Sequence, residues 1–311
     1  MFIVVGEALI DLVGQRGGST FVAHAGGSPA NVALGLARLG DPVTLITRLG
    51  DDAFGRMIKE HLGADGVVVD PGDDPRFATS LAIATLAAGV ASYDFRIGWD
   101  VGRLDPLPIE MRCLHTGSLA TVLAPGSRAV IDLMRREHER RRVTICYDPN
   151  VRPALMGDAP SARASVEELV ALSDVVKVSD EDLSWLYPGE PDEAVARRWL
   201  ASGPALVVVT RGGAGLYAVT PEQEVRGEAV PMDLVDTVGA GDSFTSGLLD
   251  GLLRAGFLGG ERRRAIAETD ESTLVSILER AATVAAITCS RPGAAPPSRR
   301  ELDAVLTARR P

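Results

Sequence analysis

The chain is nearly without lysine: Lys59 and Lys177 are the only two among 311 residues, and arginine supplies the rest of the basic charge. Basic charge is also in deficit, with 32 lysines and arginines against 42 carboxylates and a net charge of −10. That balance argues against a nucleic-acid or membrane-surface binder, because holding a phosphate backbone requires a basic face. The one basic run, Arg135–Arg142 (RREHERRR), lies between an apolar helical stretch and a strand-like run. It reads as a solvated helix end, where cations complement the helix dipole.

Cysteine is scarce. Cys113, Cys146 and Cys289 are odd in number, far apart and set in apolar contexts. They are expected to be reduced core residues rather than a disulfide frame or a zinc site. Long apolar runs are lacking too. The opening MFIVVGEALIDLVGQ has no basic n-region or cleavage site, and Asp11 interrupts it far short of a bilayer span. No later run is expected to cross a membrane either, so a cytoplasmic protein is expected.

What is present fits one large α/β unit over residues 1–311, with hydrophobic and charged fractions ordinary for a globular protein. Continuous apolar runs at 2–5, 43–47, 143–148, 174–178 and 205–210 read as strands of a parallel sheet covered on both faces. Helical patterns lie between them. The first spans roughly 29–39, with Ser28 as candidate N-cap, Pro29 suited to the first position and Gly40 at its end. This is the rhythm of a doubly wound, mostly parallel sheet. Residues 76–97 depart from it and read as a β-hairpin turning near Ala88-Gly89. With residues 9–25 they are expected to form a small β lid over the carboxyl edge of the parallel strands, where ligands bind in such folds. The Pro-rich run 290–298 reads as a loop between a long helix and a short final one.

The most informative segment is Asp236-Thr237-Val238-Gly239-Ala240-Gly241-Asp242-Ser243, followed by an apolar helical run. Small residues at 239–241 let consecutive N–H groups converge with those of a helix N-terminus, giving an anion site. Asp242 at that terminus would stay ionised. An anion site beside a carboxylate suits phosphoryl transfer, with the carboxylate taking the acceptor's proton. A dinucleotide fingerprint would need glycine where Phe244 stands, and neither lysine has a Walker A setting. A Gly-Asp-Ser esterase would need a later histidine, but His24, His61, His115 and His138 all precede the block. A glycine-rich helix start capped by Asp242 and Ser243 accounts for the same residues without chemistry.

A second segment, Gly26-Gly27-Ser28-Pro29-Ala30-Asn31, would let a ligand approach the backbone and offers Asn31 to hydroxyl groups. Asp11, taken as the end of the first strand, could bind a vicinal diol, or could simply be a turn residue before Gly14.

Together these segments resemble the ribokinase-like (PfkB) family of carbohydrate kinases over nearly the whole chain. GGSPANVALGLARLG (26–40) is similar to one signature and DTVGAGDSFTSGLL (236–249) to the other. GEALID, HTGSLA, DPNVRP, VKVSDEDLSWLYPG, TRGGAG and SRPGA resemble intervening blocks, in wording closest to fructokinases and 2-keto-3-deoxygluconate kinases. The resemblance implies a ribokinase-like α/β fold and ATP as phosphoryl donor, accompanied by Mg²⁺. It implies Asp242 as base, and Gly239, Ala240 and Gly241 as the anion hole. Asp11, Gly26, Gly27 and Asn31 would hold sugar hydroxyls. Ser179, Thr210, Gly212, Gly215, Ala282 and Ala286 would line the nucleotide site. Asp236, Val238 and Gly293 would form a monovalent-cation (K⁺) site. The family's Asn-x-x-Glu motif is replaced by Ser179-Asp180-Glu181-Asp182, so Asp182 would meet Mg²⁺ through water.

The acceptor is the least determined part. Arg96 and Arg152 together could hold a sugar acid's carboxylate, although fructokinase-like members carry arginines at similar places. A neutral ketohexose such as fructose leads, 2-keto-3-deoxygluconate follows, and a sugar or nucleotide sensor without catalysis is the distant alternative. Ribose and nucleosides fit GEALID and DPNVRP less well. A homodimer through the lid's open β edge is also expected.

Overall fold

The apolar N-terminal run divides at Gly6 into strands of two different sheets. The computed structural model describes residues 1–15, 17–72, 77–87, 90–105 and 107–309. Its strands are β1 (Phe2–Val5), β2 (Leu9–Gln15), β3 (Phe21–Gly26), β4 (Val43–Ile46), β5 (Val68–Asp70), β6 (Ser80–Ala87), β7 (Val90–Arg96), β8 (Cys113–Gly117), β9 (Thr144–Asp148), β10 (Val175–Ser179), β11 (Leu206–Thr210), β12 (Leu216–Val219) and β13 (Glu224–Gly227). Asp11 therefore lies inside β2 rather than at the end of the first strand. Beyond Val5 the chain leaves one sheet and re-pairs in the other, a break that continuous hydrophobicity conceals.

The large sheet has the order β13-β12-β11-β10-β9-β8-β1-β4-β5. It is parallel from β5 to β11, and β12 and β13 add an antiparallel edge. Successive residues of a strand face opposite sides. Phe2 and Val4 enter one core with the helices Ser28–Arg38, Ala240–Arg254 and Glu271–Cys289. Ile3 and Val5 enter a second core with Gly126–Arg140, Ala159–Leu172 and Asp192–Ser202. Both faces are thus covered, as the continuous apolar runs imply.

The small sheet runs β3-β2-β6-β7. It is built from the expected segments, although the hairpin turn at Ala88-Gly89 lies outside the described residues. Its free edges are β3 and β7, and β3 exposes Phe21 and Val22.

Helix Ser28–Arg38 starts one residue earlier than expected, with Gly27 at the N-cap and Pro29 second. Ser28 does not cap it, because its hydroxyl has another partner. Helix Glu271–Cys289 corrects the expectation about membrane spans: at 19 residues and mean hydropathy 1.3 it is long and apolar enough to cross one. Its Leu274, Ile277, Leu278 and Ala281 are buried in the fold, in the same core as Leu248, Leu249 and Leu252 of helix Ala240–Arg254. Burying a side chain of this kind is worth about 1.5–3 kcal/mol, which fixes the helix that carries Asp242. Cys113 and Cys146 are buried, whereas Cys289 is only partly so and borders a cleft. The Arg135–Arg142 run closes helix Gly126–Arg140 and the residues after it, largely exposed as expected.

Candidate active site

Gly239 has φ 74°, a left-handed conformation that favours glycine, and it turns the chain into helix Ala240–Arg254. The N–H of Ala240 closes this turn onto the Thr237 carbonyl at 3.2 Å. No side chain caps the helix, and no acceptor among the described residues takes the N–H of Gly241 or Asp242. Of the expected 239–241 donors only the Ala240 N–H is taken up by the turn, and Gly239 likewise has no acceptor for its N–H among the described residues. Ser243, the would-be esterase nucleophile, is buried and accepts a 2.8 Å hydrogen bond from Thr288 Oγ1.

Asp242 is only 8% exposed. Ser28 Oγ donates to its Oδ1 at 2.6 Å and Asn31 Nδ2 to its Oδ2 at 2.8 Å. The two glycine-rich segments thus meet at one carboxylate. Burial raises the Asp242 pKa above the ordinary value, while the Ser28 and Asn31 bonds and the charge of Lys177 pull against that rise. The result is an oriented, ionisable group with added basicity, as a general base requires.

Lys177, on β10, was given no role from sequence. Val176 and Val178 point into one core, and Lys177 points to the other side of the sheet, toward the helix that begins at Ala240. Its Nζ donates to Asp148 Oδ2 at 2.9 Å in a buried pair. Thr245 Oγ1 is 3.4 Å from the same oxygen. A Cβ on Gly241 would lie 2.9 Å from Lys177 Nζ, so the ammonium sits directly against the glycine. Burial opposes its charge, yet Asp148, Asp182 and Asp242 outweigh that and hold its pKa above the lysine norm.

Asp11, expected to hold the acceptor, lies on β2 of the small sheet. A Cβ on Gly26 would collide with Asp11 Oδ2, so that glycine makes room for the carboxylate. Burial raises the Asp11 pKa, with His24 and Arg152 opposing. Glu7 is 4% exposed and its Oε2 has no partner among the described residues. Burial pushes its pKa to about 7, against the pull of Ser118 and Arg152 and with the help of Asp242. Arg152 bonds to Asn150 Oδ1 at 2.7 Å and lies within electrostatic reach of Glu7, Asp11 and Asp182. Arg96 is exposed at the end of β7 and, like Asp11, Gly26, Gly27 and Asn31, is not part of the lining of the cleft that Arg152 borders.

A cleft of about 630 Å³ runs from Asp242 along the carboxyl ends of β10 and β11. Gly239, Ala240, Gly241, Arg152, Ser179, Asp182, Thr210, Gly212, Gly215, Ala282 and Ala286 all border it, as do Lys177 and Cys289. Ser179 and Asp182 form a capping box, and Asp182 Oδ1 also accepts from Val151 N at 3.0 Å. These bonds use Asp182 as a tie between loops. Among the described residues no three His, Cys, Asp or Glu converge as a metal cage. Asp236 takes the N–H of Val238 at 3.1 Å and of Gly293 at 2.8 Å, bringing those three residues together outside the cleft lining.

The fold recurs in known proteins. The family model described as pfkB family carbohydrate kinase matches residues 1–301. The chain belongs to this family. A fructokinase of Rhizobium leguminosarum bv. trifolii is 34% identical over 286 residues, covering 88% of this chain and 85% of that protein. The structure of a Xylella fastidiosa fructokinase with bound ATP superposes with TM-score 0.87 at 26% identity, covering 99% and 98% of the two chains. A Vibrio cholerae fructokinase double mutant, in a form with fructose, ADP and potassium ion bound, gives 0.77 at 25% identity and 97% of each chain.

Four residues of this carbohydrate kinase escaped the sequence reading as site components: Glu7, Ser28, Asp148 and Lys177. Lys177 had a legible signal, a charge in the middle of the apolar run VVKVS, and Asp148 ends VTICYD in the same way. Ser28 had none beyond its helix start, since its partner is Asp242.

Proposed function

We propose that this carbohydrate kinase transfers the γ-phosphoryl group of ATP to a hydroxyl of a neutral ketohexose, fructose first. The observation that carries the proposal is Asp242, buried and held at both oxygens beside the unpaired N–H groups of Gly241 and Asp242. Asp242 takes the proton of the acceptor hydroxyl, and the helix N-terminus holds the phosphoryl oxygens. Thr210, Gly212, Gly215, Ala282 and Ala286 line the nucleotide end of the cleft. Asp11, Gly26, Gly27 and Asn31, outside that cleft lining but joined to Asp242 through Asn31, would hold the acceptor's hydroxyls.

Mg²⁺ when bound neutralises phosphate charge. The residues present fit a hard cation held mainly by the nucleotide's oxygens and water, and Asp182 on the cleft wall would meet it through water. Asp236 and the backbone at Val238 and Gly293 fit a monovalent-cation loop, and the potassium ion of the Vibrio cholerae fructokinase supports that reading.

Acceptor charge favours fructose over 2-keto-3-deoxygluconate. Arg152 lies within electrostatic reach of the acidic Glu7, Asp11 and Asp182, so an anionic sugar would meet acidic groups as well as a guanidinium. Coupled ADP release across a panel of fructose, other hexoses, ribose, nucleosides and 2-keto-3-deoxygluconate tests this. Fructose turning over fastest supports the proposal, a faster sugar acid overturns the substrate, and ligand binding without turnover supports the sensor. The protein acts in the cytoplasm and pairs as a homodimer through β3, whose exposed Phe21 and Val22 lie on an open edge. Sedimentation giving only monomer at micromolar concentration removes the dimer.

A further inference from the structure

A buried ammonium is costly unless it is paired, and a single carboxylate oxygen satisfies only one of its three N–H donors. Lys177 is 4% exposed, borders the cleft and donates to Asp148 at 2.9 Å. Its Nζ lies against Gly241, the residue whose free N–H opens the helix N-terminus. We propose that Lys177 is a catalytic residue of this kinase: its ammonium, anchored by Asp148 beneath Gly241, contacts the transferred phosphoryl group and balances its charge in the transition state. The proposal rests on the phosphoryl-transfer reading and adds a side-chain cation to an anion site otherwise made of backbone.

Three observations support a working role over a structural one. The strand position faces the helix start and not the valine core on the opposite face. Any side chain at 241 would press on the ammonium, so glycine there keeps the space above Nζ open. The carboxylates of Asp148, Asp182 and Asp242 keep the amine protonated, and a compact fixed cation is what a transferring phosphoryl group recruits. During transfer the acceptor oxygen bonds to the γ-phosphorus as the bond from that phosphorus to the β–γ bridging oxygen breaks. ADP leaves with that electron pair and Asp242 takes the hydroxyl proton. Lys177 neither gains nor loses a proton.

The test compares wild type with a Lys177→Met, Asp148→Asn double variant, which removes both buried charges and so avoids stranding either one. With the melting temperature preserved, kcat falls about 10²–10³-fold, the range for losing one donor to developing charge, and the acceptor KM is unchanged. A double variant within threefold of wild-type kcat overturns the role of Lys177 while leaving the kinase reading intact. Absence of sugar-dependent turnover in wild type overturns the kinase reading first. A second measurement needs no variant that must fold without the pair. With only two lysines, ¹⁵N-lysine labelling gives two side-chain signals, assigned through Lys59→Arg. The Lys177 signal shifts with a non-hydrolysable ATP analogue and much less with ADP. Equal responses to the two nucleotides overturn the contact.

Discussion

Ser28 Oγ donates a 2.6 Å hydrogen bond to Asp242 Oδ1, joining residues 214 apart in the chain. With Asn31 on the other oxygen, it fixes the plane of a carboxylate that could otherwise rotate about its side chain. In the proposed reaction, the glycine-rich start of helix Ser28–Arg38 would therefore aim the base as well as admit the sugar.

Replacing Ser28 with alanine removes a bond that favours the ionised form of Asp242, so the Asp242 pKa rises further. Because the base works ionised, the acid limb of the kcat/KM profile moves to higher pH. Activity at the optimum falls about tenfold or more, in line with loss of a hydrogen bond to a charged group. A pH–rate series on wild type and Ser28→Ala checks it, and an unmoved acid limb contradicts it.

Glu7 predicts a pH-dependent stability. Its pKa is about 7 in the fold against the usual 4.5, so the folded state binds more protons than the unfolded state between those values. Its stabilising contribution is complete below the unfolded pKa and is lost as pH rises through about 7. In Glu7→Gln that loss is absent. The melting temperature of the variant relative to wild type should therefore rise from pH 5 to pH 8. A difference that stays constant over that interval removes Glu7 from the account.

Gly239→Ala should be damaging on two grounds. The φ of 74° strains any side chain, and the new Cβ would lie 2.6 Å from that of Ala294. A loss of about 1–3 kcal/mol in denaturant unfolding is expected, with kcat reduced because the turn sets the free N–H groups.

The large sheet was legible because strands buried on both faces read as plain apolar runs, as FIVV and LVVVT do. The separate sheet of residues 9–25 was legible as well, and only Asp11 was misplaced: it lies inside β2, paired with β3 and β6, and not at the end of the first strand. Asp242 was legible because helix starts and glycine turns are local chemistry. Its partners Ser28 and Asn31 looked like a cap and a sugar ligand, since a bond across 214 residues has no local signature. The exposure of Arg96 was not legible, although the hairpin was. Strand alternation alone does not say which hairpin residues face the site, and the fold leaves Arg96 exposed.

The central claim is that Asp242 takes the proton of a sugar hydroxyl. Asp242→Asn keeps the shape of the side chain but supplies no base. Sugar-dependent ADP release by this variant should fall about 10²–10⁴-fold, with nucleotide affinity close to wild type by calorimetry. A variant that keeps more than about a tenth of wild-type kcat, well outside that range, would contradict it.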